Sequence, residues 1–88
     1  GNQKSANKNN LSYIIQAGSF KTAAQAAQRL VELTLLGLNP SVGAVTNADG
    51  KKWHRVLLGP FTSRSQMSSA RSVIISNDIE AMVMRRTH

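Results

Sequence analysis

The spacing of apolar residues changes several times along the chain, and each change marks an element. YIIQAGSF, from Tyr13, mixes β-branched and aromatic residues and stops at Gly18, which predicts a strand. In KTAAQAAQRLVELTLLG the apolar residues move to helical spacing at Ala23, Ala26, Ala27, Leu30, Leu33 and Leu36. Thr22 is placed to cap the start of this helix, and Gly37 to end it in the left-handed conformation that glycine tolerates. The alanines would let the first turns approach a sheet closely. A second extended run, PSVGAVT from Pro40, closes in the turn NADG, and KKWHRVLLG follows as a third strand. Residues 41–58 therefore read as a β-hairpin that Gly59-Pro60 ends. Thr62 or Ser63 caps a second, serine-rich helix through Ser76, with Met67, Ala70 and Ile74 on one face. IEAMVMR, from Ile79 to Arg85, makes the fourth strand.

This order is β-α-β-β-α-β, an α+β fold of the ferredoxin or RNP type. Right-handed crossovers give a four-stranded antiparallel sheet in the order 4-1-3-2, with both helices on one face. A sheet covered on one side should alternate between apolar-in and polar-out residues. Here it does not. With Tyr13, Ile15, Ala17, His54, Val56, Leu58, Ala81 and Val83 turned to the helices, the open face carries Ile14, Gln16, Trp53, Arg55, Leu57, Met82 and Met84. Strand neighbours in the expected order make these one contiguous patch, and Arg55 is the one basic residue expected on it. Such a patch marks a binding surface, or a face buried against a second copy or a further domain.

Composition narrows the choice. Eighty-eight residues make one small domain, and 41% hydrophobic with 17% charged residues suits a globular chain rather than a disordered one. Residues 1–10 are polar and without period, so they read as a flexible linker ahead of a domain over 11–88. They lack the apolar core of a signal peptide, which suggests a segment of something longer. No run of ~18 apolar residues could span a membrane. The absence of cysteine removes disulfides, thiol nucleophiles and cysteine-based zinc sites. Eleven Lys and Arg against four acids give a charge of +7, which favours encounter with anions without choosing among them. The basic residues are scattered, with Lys4 and Lys8 in the linker, Lys51 and Lys52 in a turn, and Arg85 and Arg86 at the end.

Catalysis finds no support. No Ser-His-acid constellation stands out, and Glu32, Asp49, Asp78 and Glu80 do not pair as a glycosidase dyad. His54 and His88 have no metal-ligand spacing. The chain reads as a binding module with no catalytic residues, no metal and no cofactor.

YIIQAGSF and WHRVLLGPF resemble the two motifs of the SPOR domain, a small bacterial envelope module of the same element order. Its pattern is an aromatic, two branched residues and Q-x-G-S-F on the first strand, then R-V-x-x-G-P-F at the end of the third. The resemblance covers residues 12–85 and is closest to the FtsN type of division protein. It implies binding to peptidoglycan glycan strands stripped of their stem peptides, in the periplasm at the division septum, along the uncovered sheet face. On the matching positions it implies that Gln16, Ser19, Trp53, Arg55 and Met82 contact glycan. Ile14, Leu57 and Met84 join them from the open-face pattern, while Phe20, Gly59, Pro60 and Phe61 match as structural residues. The chain departs from many members in having no cysteines to tie the first and last strands, and its longer NADGKK turn is expected to reshape one wall of the groove.

Sugar chemistry suits these residues. Trp53 offers a platform for the apolar face of a ring, Gln16 offers donors and acceptors, and Arg55 can clamp the free carboxylate of muramic acid in a bidentate fork. The expected partner is glycan. No nucleic acid and no membrane contact by this domain are expected, whatever anchors the parent protein, and the domain should be a monomer. An RRM-like nucleic-acid binder shares the order and the charge, but its third strand would need several outward aromatics where WHRVLLG has one. A dimerisation domain that hides its open face is the other alternative.

Overall fold

The computed structural model describes residues 11–87, so the linker expected over 1–10, and His88, lie outside the described residues. The elements are β1 (Leu11–Phe20), α1 (Ala23–Leu35), β2 (Ser41–Thr46), β3 (Lys52–Phe61), α2 (Arg64–Ser76) and β4 (Met82–Thr87). All strand pairs are antiparallel, and the order β2-β3-β1-β4 is the expected 4-1-3-2 read from the other edge. Both helices pack on one face. Ile15 and Ala17 of β1 and Val56 and Leu58 of β3 meet Ala26 and Leu33 of α1 and Met67, Ala70 and Ile74 of α2. Ile15, Leu33, Val56 and Ile74 have no exposed surface, and burying each side chain contributes about 1.5–3 kcal/mol. Of the alanines expected beneath α1, only Ala26 is buried; Ala23 and Ala27 flank the contact and stay exposed.

The helices begin and end as the sequence implies. Thr22 Oγ1 accepts a bond from the Gln25 N–H at 3.2 Å, and Ser63 Oγ accepts one from the Gln66 N–H at 3.1 Å. At the end of α1, Leu38 N–H reaches the Leu33 carbonyl and Gly37 N–H the Thr34 carbonyl, with Gly37 at φ 87°. The end of α2 repeats this arrangement with Asp78 at φ 59° in the glycine's place. Asp78 therefore terminates the helix. Ile79 and Ala81 pack against the core from this connection, and β4 starts at Met82, later than the expected Ile79.

β1 and β3 run past their glycines to Phe20 and Phe61, where the sequence pattern suggests that they stop. The reason is a pair of bulges. Gln16 faces Leu57 but Ser19 faces Arg55, so β1 holds one residue more than its partner across this stretch. Ile15 faces Leu58 but Tyr13 faces Phe61, so β3 holds the extra residue there. Gly18 (φ 139°) and Gly59 (φ 110°) supply the backbone that each bulge needs. A Cβ on Gly18 would lie 2.5 Å from the Phe20 ring, and one on Gly59 would lie 2.8 Å from the Tyr13 carbonyl oxygen. Each bulge inverts the alternation beyond it, turning an aromatic ring into the core. The β1 bulge is also held from α1: Arg29 Nη1 donates to the Ala17 carbonyl at 2.8 Å, its guanidinium lies 5.2 Å from the Phe20 ring centre, and Nε pairs with Glu32 at 2.9 Å.

Candidate functional site

The face away from the helices is set by register. Gln16 stands at its centre, directly between Leu57 of β3 and Met82 of β4, and Ile14 stands opposite Met84. On the next rows Arg55 lies between Ser19 and Gly43, and Trp53 lies opposite Val45. Gly43 leaves the β2 side of Arg55 without a side chain. All eight residues expected to contact ligand therefore share one face. Ser19 reaches it only through the β1 bulge, since unbroken alternation would put it with Ile15 and Ala17 in the core.

Exposure differs from expectation. Alternation turns Gln16 and Ile14 toward solvent, yet they are only 8% and 9% exposed. Both sit on an inner strand of the sheet, where Gln16 stands between Leu57 and Met82 and Ile14 stands beside Met84. Trp53, Arg55, Leu57 and Met84 are half-buried, while Met82 is 54% exposed. The accessible part of the patch thus runs over Trp53, Arg55, Leu57, Met82 and Met84, with Gln16 and Ile14 beneath.

Two polar atoms in this layer stand out. Trp53 Nε1 and Arg55 Nε are buried and make no hydrogen bond among the described residues. An unsatisfied buried donor costs about 1–3 kcal/mol. Both stand on β3, two residues apart.

The face is basic at both ends. Lys21 Nζ lies 5.8 Å from the centre of the Trp53 ring, and Lys21, Lys51, Lys52 and Trp53 line a notch of about 300 Å³. At the other end Arg86 pairs with Ser12 and shares the parity of Met82 and Met84, so Arg55 is not the one basic residue on the open side. Carrying the alternation of the fourth strand past Met84 would have found Arg86; ending that strand at Arg85 hid it. Lys21 had no such signal, because its position depends on the bulge.

Three of the four acids are engaged elsewhere. Glu32 pairs with Arg29, Asp49 accepts a bond from the Lys51 N–H within the hairpin turn, and Asp78 ends α2. His54 lies on the helix side, opposite Phe20 and Ala44. Among the described residues no group of His, Asp or Glu could hold a metal ion. Among them, too, no helix is long and apolar enough to cross a membrane.

The family model of the SPOR domain matches residues 10–85. The chain belongs to the SPOR family. Two solved structures share its fold. The SPOR domain of RlpA from Pseudomonas aeruginosa superposes with a TM-score of 0.72 at 22% identity, covering 84% of this chain and 99% of that one. The peptidoglycan-binding domain of the B. subtilis cell wall lytic enzyme CwlC gives a TM-score of 0.70 at 22% identity, covering 86% of this chain and 90% of that one. No curated protein sequence matches. In this SPOR domain the two motifs act alike. Gly18 with Phe20, and Gly59 with Phe61, build the bulges that turn an aromatic ring into the core. Pro60, between the second pair, stays exposed.

Proposed function

We propose that this SPOR domain is a non-catalytic module that binds peptidoglycan glycan strands lacking stem peptides, and so directs its parent protein to the division septum in the bacterial periplasm. The observation that carries this reading is the open sheet face, where Trp53, Arg55, Gln16, Ser19 and Met82 meet and two buried donors lack acceptors among the described residues. A glycan strand suits that surface. Its pyranose rings have apolar faces that the indole and the Met82 side chain can cover, and its hydroxyl oxygens can accept from Trp53 Nε1 and Arg55 Nε once those side chains adjust. The muramic acid carboxylate is free only where no stem peptide is attached, and Arg55 can grip it in a fork. Lys21 at one end and Arg86 at the other extend the positive field along the strand. The B. subtilis neighbour, itself a peptidoglycan-binding domain, supports the same reading.

Co-sedimentation with purified sacculi before and after amidase treatment tests it. Binding should rise when stem peptides are removed, and Trp53→Ala should abolish most of it while the domain stays folded. Equal binding to both preparations would remove the preference for stripped strands. No binding to either would remove the glycan reading itself.

A further inference from the structure

The helix side carries a second concentration of positive charge, away from the open face. Arg64 opens α2, and Ser68 and Arg71 follow one and two turns later along the same stripe. Arg85 of β4 pairs with Tyr13 and so points to the helix side, unlike its neighbour Arg86. Together with Tyr13, Met67 and Val83 these residues line a groove of about 360 Å³ between α2 and β4. Ser65, Ser69 and Ser72 continue its rim along the outer surface of α2.

Three features of the groove point the same way. Among the described residues, none of its guanidiniums has a hydrogen bond or an ion pair; the salt bridge Arg29–Glu32 is on α1. The nearest acids along the chain, Asp78 and Glu80, belong to the other end of α2 and the start of the last connection. Finally, α2 has no acidic residue in its first turn, and Arg64 occupies a position where the helix dipole disfavours a cation. A cation in the first turn of a helix lowers stability unless an anion joins it, and guanidiniums with hydroxyls offer donors to that anion.

We propose that this groove is a second binding site, for a phosphate-bearing anion of at least two charges. Arg71 and Arg85 grip it from the two walls, Arg64 and the start of α2 hold its far end, and Ser68 donates from between. The tetrahedral oxygens of a phosphate can accept from several forks at once, which a planar carboxylate does less well. The site is independent of the glycan face, because Arg85 and Arg86 point to opposite sides of β4.

Pyrophosphate titrated into isotope-labelled protein, read by NMR, is the test. Shifts should gather at Tyr13, Arg64, Ser68, Arg71 and Arg85, and pyrophosphate should bind about tenfold more tightly than malonate. Arg71→Gln with Arg85→Gln should weaken binding about tenfold, while Lys51→Gln with Lys52→Gln, which removes the same charge, should leave it nearly unchanged. Flotation with phosphatidylglycerol vesicles then separates the sources: binding lost in the arginine pair assigns a lipid headgroup, and no flotation assigns a soluble phosphate compound. Shifts confined to Lys21, Trp53 and Arg55, equal effects of the two double variants, or absence of binding would overturn the proposal.

Discussion

Arg29 ties the β1 bulge to α1 by donating to the Ala17 carbonyl beside the extra residue. Because the bulge sets the direction of Ser19, a residue on α1 helps to set which way a side chain points on the opposite side of the sheet. Arg29→Met should therefore lower stability by about 1 kcal/mol in urea unfolding, and should also weaken glycan binding by displacing Ser19. Unchanged binding in a destabilised variant would detach Ser19 from the site. Arg55 is read more directly. Arg55→Ala should reduce affinity for stripped glycan about tenfold or more, as expected for losing a charge-assisted contact, and should narrow the gap between stripped and peptide-bearing strands. Arg55→Lys should fall between, since it keeps the charge without the planar fork. Equal losses on both glycans would leave Arg55 a general affinity contact. At this scale the sequence told which side chains share a face, since alternation assigns Trp53, Arg55 and Met82 without knowledge of packing. It did not tell that Gln16 is nearly buried, because burial on an open face depends on the lengths of the side chains placed opposite it.

The elements were legible wherever a local signal controls them. Thr22, Ser63 and Gly37 are cap residues whose chemistry acts within one turn; α1 begins and ends close to Thr22 and Gly37, and α2 begins at Ser63. The strand ends were not legible, because Gly18 and Gly59 read as terminators while in the sheet they are bulge residues with ladder on both sides. A glycine at positive φ serves either purpose, and only the cross-strand partner decides between them. Gly59→Ala forces a Cβ against the Tyr13 carbonyl at a φ that L residues rarely adopt, so a loss of about 1–3 kcal/mol is expected in urea unfolding. Ser63→Ala removes one cap and should cost about 1 kcal/mol. A loss for Gly59→Ala well below about 1 kcal/mol would mean that the bulge is far less constrained than its geometry implies.

For the molecule as a whole, the order of elements and the one-sided cover by helices followed from the pattern because right-handed crossovers leave few ways to arrange four strands and two helices. The distribution of charge did not follow, since adjacent residues such as Arg85 and Arg86 end on opposite faces and a formal +7 does not reveal it. Charge also separates glycan binding from a polyanion reading. A nucleic-acid binder neutralising several phosphates loses about 10³-fold in affinity between ~50 and ~200 mM salt, whereas stacking with one or two carboxylate contacts should lose less than about tenfold. Isothermal titrations of stripped glycan at the two salt concentrations should give the shallow dependence; a steep one would favour the polyanion. The most direct measurement is NMR shift mapping of isotope-labelled domain with a stem-free glycan fragment. The largest shifts should fall on Gln16, Ser19, Trp53, Arg55 and Met82 of the open face, with the Trp53 indole N–H among them. Shifts gathered on α1 and α2, with the sheet face silent, would contradict the assignment of this face as the glycan-binding surface.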